Sequence, residues 1–273
     1  MVWYNKAVMI YIEKEKLDIE KIALSGQCFR IRRSADPAVW EAQALDRFLL
    51  LRESEDAVGI DCSEAEFAGF WKDYFDLDTD YGAIEKSIDP DDKFLTAAAE
   101  YSRGIRILRQ DPWEMLITFI ISQRKNIPAI TSCVEKLSAE FGSSLGEGLF
   151  AFPTPQQLAE AGEALSFCSL GYRDRYVENA AKLVASKEVD LHAWNSLPDE
   201  ELTEKLLSFY GVGIKVANCV KLFGYHRINA FPIDVWIKRV IDEKYGGSFS
   251  TERYEGFAGI IQQFMFFYGR NTL

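Results

Sequence analysis

The sequence has 273 residues, enough for one large domain or two to three small ones. It is 48% hydrophobic and 14% aromatic, which supplies a core and excludes a disordered chain. No apolar run approaches the roughly 20 residues of a membrane span, and a net charge of −11 argues against nonspecific coating of nucleic acid while allowing a local basic face.

The opening Met1-Val2-Trp3-Tyr4-Asn5-Lys6 shows no secretory pattern, so a cytoplasmic protein with no membrane segment is expected. Three stretches in the first 75 residues predict antiparallel strands. Val8–Ile12 is a short apolar run, Phe29-Arg30-Ile31-Arg32 alternates, and Phe48–Leu51 precedes a turn-prone stretch. Ser63-Glu64-Ala65-Glu66 reads as a capping box. It opens a helix whose Phe67, Phe70, Trp71 and Tyr74 recur at core spacing.

From about residue 76 the punctuation becomes that of helices. Asp89-Pro90 and Asp111-Pro112 each offer Asp at an N-cap and Pro at the first helical position. The second opens an apolar helix over Trp113–Ile121. Ser122-Gln123-Arg124-Lys125-Asn126 is a polar break, and Ile127–Phe141 is the next helix, stopped by Gly142. Thr154-Pro155-Gln156-Gln157 caps a short helix. Leu170-Gly171-Tyr172-Arg173 turns into a helix around Tyr176–Val184, and Leu197-Pro198-Asp199 opens one running through Phe209. The last two helices are predicted over Val235 to about Tyr245 and about Thr251 to Tyr268. The fold class is α+β: an N-terminal antiparallel sheet domain over residues 1–95, then a mostly helical region over 96–273.

Five cysteines, at positions 28, 62, 133, 168 and 219, form no C-x-x-C pair, and the chain has only His192 and His226. No zinc or iron–sulfur site built from side chains is predicted, and thiols in a reducing compartment are the simplest account. Basic residues cluster at Arg103/Arg106/Arg109, Arg124/Lys125, Arg173/Arg175 and Lys238/Arg239. Each cluster taken singly reads as a solvated face.

The stretch Phe209–Cys219 reads as helix, Gly211-Val212-Gly213 turn, helix. Glycines there let a partner come close to the backbone. The second helix presents unpaired N–H groups and a positive dipole end, a combination that suits a phosphate. Alone, the pattern is equally a packing corner with an exposed lysine. Pro232-Ile233-Asp234-Val235, nineteen residues beyond Gly213, shifts the balance.

Taken together, these motifs resemble the helix-hairpin-helix DNA glycosylase superfamily, and within it the 8-oxoguanine DNA glycosylase/AP lyases. Leu24-Ser25-Gly26-Gln27-Cys28-Phe29-Arg30, Gln110–Glu114, Leu170–Tyr176, Gly211–Cys219 and Pro232–Val235 carry the resemblance, in order, from about residue 20 to the end. It implies excision of 8-oxoguanine from double-stranded DNA by a monomer that requires no cofactor.

The resemblance makes Lys215 the nucleophile at the sugar C1′, leaving a Schiff base that permits β-elimination. Only a neutral amine attacks, and a helix N-terminus favours that form. Asp234 becomes the second catalytic residue, stabilising charge at the sugar, beside a plain role as an N-cap. A flipped-out base is implied between Cys219 and Phe266, with Gln262 reading its Watson–Crick edge. Otherwise Phe266 is core and Gln262 solvent-facing. Gly26 offers a carbonyl to the N7 hydrogen that 8-oxoguanine has and guanine lacks, a contact worth about 1–3 kcal/mol. Gly211 and Gly213 hold a phosphate, and the hairpin carbonyls suit a monovalent cation. Tyr172 is a wedge for the vacated stack, or equally a capping aromatic, and Arg173 meets the opposite-strand base.

The pattern departs from eukaryotic members in three places. Arg124-Lys125-Asn126 stands for an Asn-Asn-Asn run, Ala129 for an arginine that reads the orphaned cytosine, and Trp236 for a histidine near a phosphate. Relaxed opposite-base preference follows from Ala129, and the set suits a bacterial member. Two alternatives remain: a glycosylase for alkylated bases, against which Lys215 speaks, and a noncatalytic DNA-binding module.

Overall fold

In a computed structural model the chain is described from residue 8 to residue 273, so the leader-free reading of Met1–Lys6 lies outside the described residues. Two compact units result. Unit 1 takes the chain up to Ala42, Phe48–Arg109 and His226–Leu273, and unit 2 takes Gln43–Arg47 and Gln110–Tyr225. The division therefore does not fall at residue 95. The physical reason is the C-terminal helix Ala258–Thr272, which packs on the Lys93–Tyr101 and Val235–Lys244 helices and so returns the end of the chain to unit 1.

Unit 1 carries a five-stranded antiparallel sheet: β1 (Val8–Glu13), β2 (Ile31–Arg33), β3 (Val39–Ala44), β4 (Arg47–Glu53) and β5 (Ala57–Cys62). Their order is β1-β5-β4-β3-β2, so β2 to β5 form a meander and β1 closes its far edge. Register places Ile10 opposite Ile60 and Ile60 opposite Leu51, an apolar row across three strands. Leu51 and Ile60 are completely buried. The three predicted strands are present, and β3 and β5 are additional.

The aromatic helix begins at Ser63, whose Oγ accepts from the Glu66 N–H at 3.1 Å. The expected reciprocal bond of a capping box is replaced: Glu66 accepts instead from Trp71 Nε1 at 2.9 Å. The helix carries a π-type turn over Phe67–Trp71, which brings Trp71, Tyr74 and Phe75 into one buried cluster. At Asp89-Pro90 the predicted helix start moves to Asp92, whose carboxylate accepts from the Leu95 N–H at 2.9 Å. Asp89 instead closes a local turn onto the Asp91 N–H at 3.0 Å.

Unit 2 is built around the helix Pro112–Ser122, buried at every position from Trp113 to Ser122. Asp111 caps it through the Glu114 N–H at 3.0 Å, with Pro112 in the first turn, as the sequence predicts. It packs against the Ile127–Phe141 and Ile214–Phe223 helices. Phe119 and Phe223 stack with ring centroids 5.4 Å apart. The Thr154 capping box is complete, with Thr154 N–H donating to Gln157 Oε1 at 2.8 Å and Gln157 N–H to Thr154 Oγ1 at 3.3 Å. A short ribbon, Ser144–Gly146 with Leu149–Phe150, is an unpredicted addition. The last helix starts at Ala258, after a 3₁₀ turn over Glu252–Tyr254, rather than near Thr251.

Candidate active site

The predicted site residues fall in both units. Unit 2 holds the hairpin, whose first helix, Asp199–Leu207, ends at Ser208. The turn closes with the Val212 N–H donating to the Phe209 carbonyl at 3.1 Å, and Ile214–Phe223 follows. The two glycines have different reasons to be glycine. Gly211 has φ of 84°, and a Cβ there would lie 2.4 Å from the Tyr176 ring. Gly213 is the exposed N-cap with ordinary φ of −101°, and a Cβ there would meet nothing within 4 Å. The fold requires the first; the open approach left by the second suits a partner outside the chain.

Lys215 is the second residue of the helix, at the end where backbone N–H groups point outward and the dipole is positive. It is half-buried, with Nζ 5.5 Å from the centroid of the Phe119 ring on the central helix. Cys219 lies one turn further on the same helix and is buried. Large apolar side chains flank the turn in the open: Tyr210 and Ile214 are 60% and 59% exposed.

Gln123, unremarked in the sequence, fastens this region. Its Nε2 donates to the Gly211 carbonyl and to the Ile120 carbonyl, each at 3.1 Å. Its own carbonyl accepts from Arg173, through Nε at 2.8 Å and through Nη2. Arg173 Nη1 donates to the Leu170 carbonyl at 3.0 Å. Arg173 is therefore buried and engaged by backbone within the chain itself. Its guanidinium also lies 4.4 Å from the centroid of Tyr172. Tyr172 itself is 49% exposed.

The polar break divides its three residues among different tasks. Asn126 caps the next helix through the Ala129 N–H at 3.0 Å, and Lys125 Nζ donates to the Ser169 carbonyl at 3.1 Å. Arg124 is exposed with φ of 55°. Arg124 and Arg175 are both exposed, and neither is ion-paired to any described residue. The other basic clusters are engaged by partners within the chain. Arg106 is buried, donating to the Asp76, Lys16 and Thr79 carbonyls, and burial lowers its pKa. Arg109 pairs with Asp73 and Asp76, and Lys238 and Arg239 pair one turn along their own helix.

Unit 1 holds the other predicted residues. Asp234 caps the Val235–Lys244 helix, its Oδ1 accepting from the Trp236 and Ile237 N–H groups at 3.0 and 2.8 Å. Trp236 is half-buried, 5.9 Å from the Arg239 guanidinium. Ile233 and Val235, on either side of Asp234, are 52% and 78% exposed. Gln262 is buried rather than solvent-facing. Its Nε2 donates to the Pro232 carbonyl at 3.0 Å, which fixes the orientation of the amide because a carbonyl there accepts only from nitrogen. Its Oε1 is buried with no hydrogen-bond partner among the described residues. Such an acceptor costs roughly 1–3 kcal/mol unless something donates to it. Phe266, one turn on, is half-buried rather than core, with the Arg270 guanidinium 5.9 Å from its centroid.

Gly26 sits just past the Ile19–Leu24 helix with φ of 74°, a conformation that favours glycine. Its neighbours are clamped. The Ser25 carbonyl accepts from Gln263 Nε2 at 2.8 Å. Gln27 is fully buried and pairs with backbone on both edges of its amide. Its Nε2 donates to the Arg106 carbonyl and its Oε1 accepts from the Leu108 N–H, each at 2.9 Å. The sequence signal for Gln263 was available: two glutamines inside the apolar run Ile260-Ile261-Gln262-Gln263-Phe264 are buried amides with fixed partners. Among the described residues no group of three or more His, Cys, Asp or Glu is placed to hold a metal.

Residues 9–116 match the family "8-oxoguanine DNA glycosylase, N-terminal domain". The N-glycosylase/DNA lyase of Saccharomyces cerevisiae is 33% identical over 86% of this chain and 70% of its own. A solved structure of MBOgg1 in complex with a low affinity DNA ligand is 34% identical, with a TM-score of 0.88 over 98% of this chain and 97% of that one. The Clostridium acetobutylicum 8-oxoguanine glycosylase/lyase, solved with double-stranded DNA containing cytosine opposite 8-oxoG, is 33% identical with a TM-score of 0.87 over 99% and 98%. Fold and hairpin together define a lysine-bearing protein of the helix-hairpin-helix type. The chain belongs to the 8-oxoguanine DNA glycosylase family.

Proposed function

We propose that this protein removes 8-oxoguanine from duplex DNA and then opens the strand. The observation that carries this reading is an amine, Lys215, set two residues into the hairpin helix directly behind an exposed Gly213 that the fold itself does not need. The Lys215 amine forms a bond to C1′ as the bond from C1′ to the base breaks, and the base leaves with that electron pair and takes up a proton. The adduct nitrogen loses a proton, and its lone pair then forms the C1′=N bond as the C1′–O4′ bond breaks and O4′ takes up a proton, which opens the sugar ring to a protonated Schiff base. Loss of a proton from C2′ then expels the 3′ phosphate by β-elimination. Asp234, held by its cap bonds, faces positive charge developing at the sugar with a carboxylate.

Recognition draws on separate groups. Gln262 Oε1 accepts from the N–H edge of the flipped base, Phe266 and Cys219 contact its faces, and the Gly26 carbonyl accepts from N7–H. Hairpin N–H groups at Gly211 and Gly213 hold a phosphate, Arg124 and Trp236 lie along the strand, and Tyr172 fills the vacated stack. Lys125 and Asn126 serve this surface by holding its loops in place. Hairpin carbonyls fit a monovalent cation, since the Gly211 oxygen keeps a lone pair beside its bond from Gln123. Such a cation supplies charge at the phosphate and takes no part in bond making.

The test is base release under single-turnover conditions from duplexes carrying 8-oxoguanine, guanine or an alkylated adenine, each opposite C, A, G and T. Release of 8-oxoguanine alone is expected. With Ala129 offering no donors, the four opposite bases should differ by less than about a hundredfold, or ~2.7 kcal/mol. Preferential release of the alkylated base would overturn the reading.

A further inference from the structure

The side chains around Tyr172 do more than support a wedge. Two separate chains of contact run from the Tyr172 turn to the hairpin, and both lie within unit 2. The first is polar. Arg173 holds the Leu170 carbonyl and the Gln123 carbonyl, and the Gln123 amide holds the Gly211 carbonyl at 3.1 Å. The second is aromatic. The Tyr172 ring meets Tyr176 edge to face at 5.7 Å, and Tyr176 meets Tyr210 edge to face at 4.8 Å. Tyr176 also lies against Gly211, where any Cβ would collide with its ring. Neither Gln123 nor Tyr176 needs to touch DNA for this, yet each joins the residue that enters the stack to the turn that precedes Lys215.

We infer that Gln123 and Tyr176 are positioning residues that lock the Tyr172 turn to the hairpin, so that insertion of Tyr172 and placement of Lys215 at the sugar occur as one event. The inference rests on the proposed reading of Tyr172 and Lys215. Its chemical consequence is selectivity: a base that is not extruded leaves Tyr172 outside the stack and the amine short of C1′. A packed, hydrogen-bonded link of this kind couples its two ends, and contacting residues commonly show non-additive effects.

The test is a double-mutant cycle on the single-turnover rate of borohydride-trapped adduct with 8-oxoguanine duplex. Tyr172→Ala is measured in the wild-type, Gln123→Ala and Tyr176→Leu backgrounds, with thermal melting of each variant. The expected result is that the rate loss from Tyr172→Ala shrinks by at least about threefold in both backgrounds. Tyr176→Phe, which keeps the ring, should restore the full Tyr172→Ala effect. Rate losses that simply multiply in a folded background would overturn the coupling and leave the proposed function standing. Should Gln123→Ala fail to fold, the Tyr176 arm decides alone. A wild-type protein that traps no adduct would overturn the proposed function itself, and the inference with it.

Discussion

Gly211 and Gly213 are two residues apart and answer to different demands. At Gly211 a side chain would need a φ of 84° and would strike Tyr176. Gly211→Ala should therefore cost about 1–3 kcal/mol of stability, seen as a lowered melting temperature. At Gly213 the backbone is ordinary and the space is open. Gly213→Ala should melt within about 0.5 kcal/mol of wild type while weakening binding to duplex DNA. Equal binding by this variant would mean that no strand approaches the hairpin at that position. The same contrast shows what can be read from residues alone. The Gly-x-Gly turn and Lys215 are visible as a pattern, because a tight turn and a helix start are local events. The burial of Arg173 is not visible, because it depends on the Gln123 carbonyl fifty residues away. Nor is the clamp on Gly26, which joins Ser25 to Gln263 across 238 residues.

Helix beginnings were the most legible elements, since an N-cap acts within its own first turn. Asp111, Thr154 and Asp234 cap where their sequences place them, and Asn126 caps the helix predicted to begin at Ile127. Asp89 does not, because Asp92, three residues later, also offers a carboxylate, and helix packing begins there. β3 and β5 are weak in the sequence because Val39–Ala44 carries two alanines and a glutamate and Ala57–Cys62 an alanine, a glycine and an aspartate, residues depleted in strands, although both alternate in the folded sheet. Asp234 belongs to this scale too, for its oxygen closes the Val235–Lys244 helix. Asparagine caps about as well as aspartate. Asp234→Asn should thus leave melting nearly unchanged and DNA binding intact, while base release falls by roughly two decades or more for want of the negative charge. A near-normal single-turnover rate in this variant would reduce Asp234 to a cap alone.

At the scale of the whole molecule, the sheet-plus-helices plan was legible from the change of periodicity along the chain, and the return of the C-terminal helix to unit 1 was not. Unit 1 has an acid-sensitive point in Asp76. Its carboxylate is buried and accepts from Thr79 Oγ1 at 2.9 Å, Tyr81 Oη at 3.2 Å and Arg109 Nη2 at 3.1 Å. His226 Nε2 lies 3.4 Å away. Burial pushes the Asp76 pKa up, but the His226 hydrogen bond and charge, with Thr79 and Arg109, outweigh it and leave the value lowered. A lowered carboxyl pKa stabilises the fold above the unfolded value, near ~4, and that stability is lost as pH falls through the folded value. Melting temperature should drop as pH falls below about 4, and Asp76→Asn should flatten that dependence while lowering stability at neutral pH.

The central claim is that Lys215 forms a covalent bond to the sugar. Incubating the protein with 8-oxoguanine duplex in the presence of borohydride reduces any Schiff base to a stable link, and the product is resolved by denaturing electrophoresis. The account predicts a protein–DNA adduct for wild type whose tryptic peptide carries the sugar on Lys215, and no adduct for Lys215→Gln, although that variant still binds the duplex. An adduct that persists in Lys215→Gln, or its absence in wild type, would contradict the account.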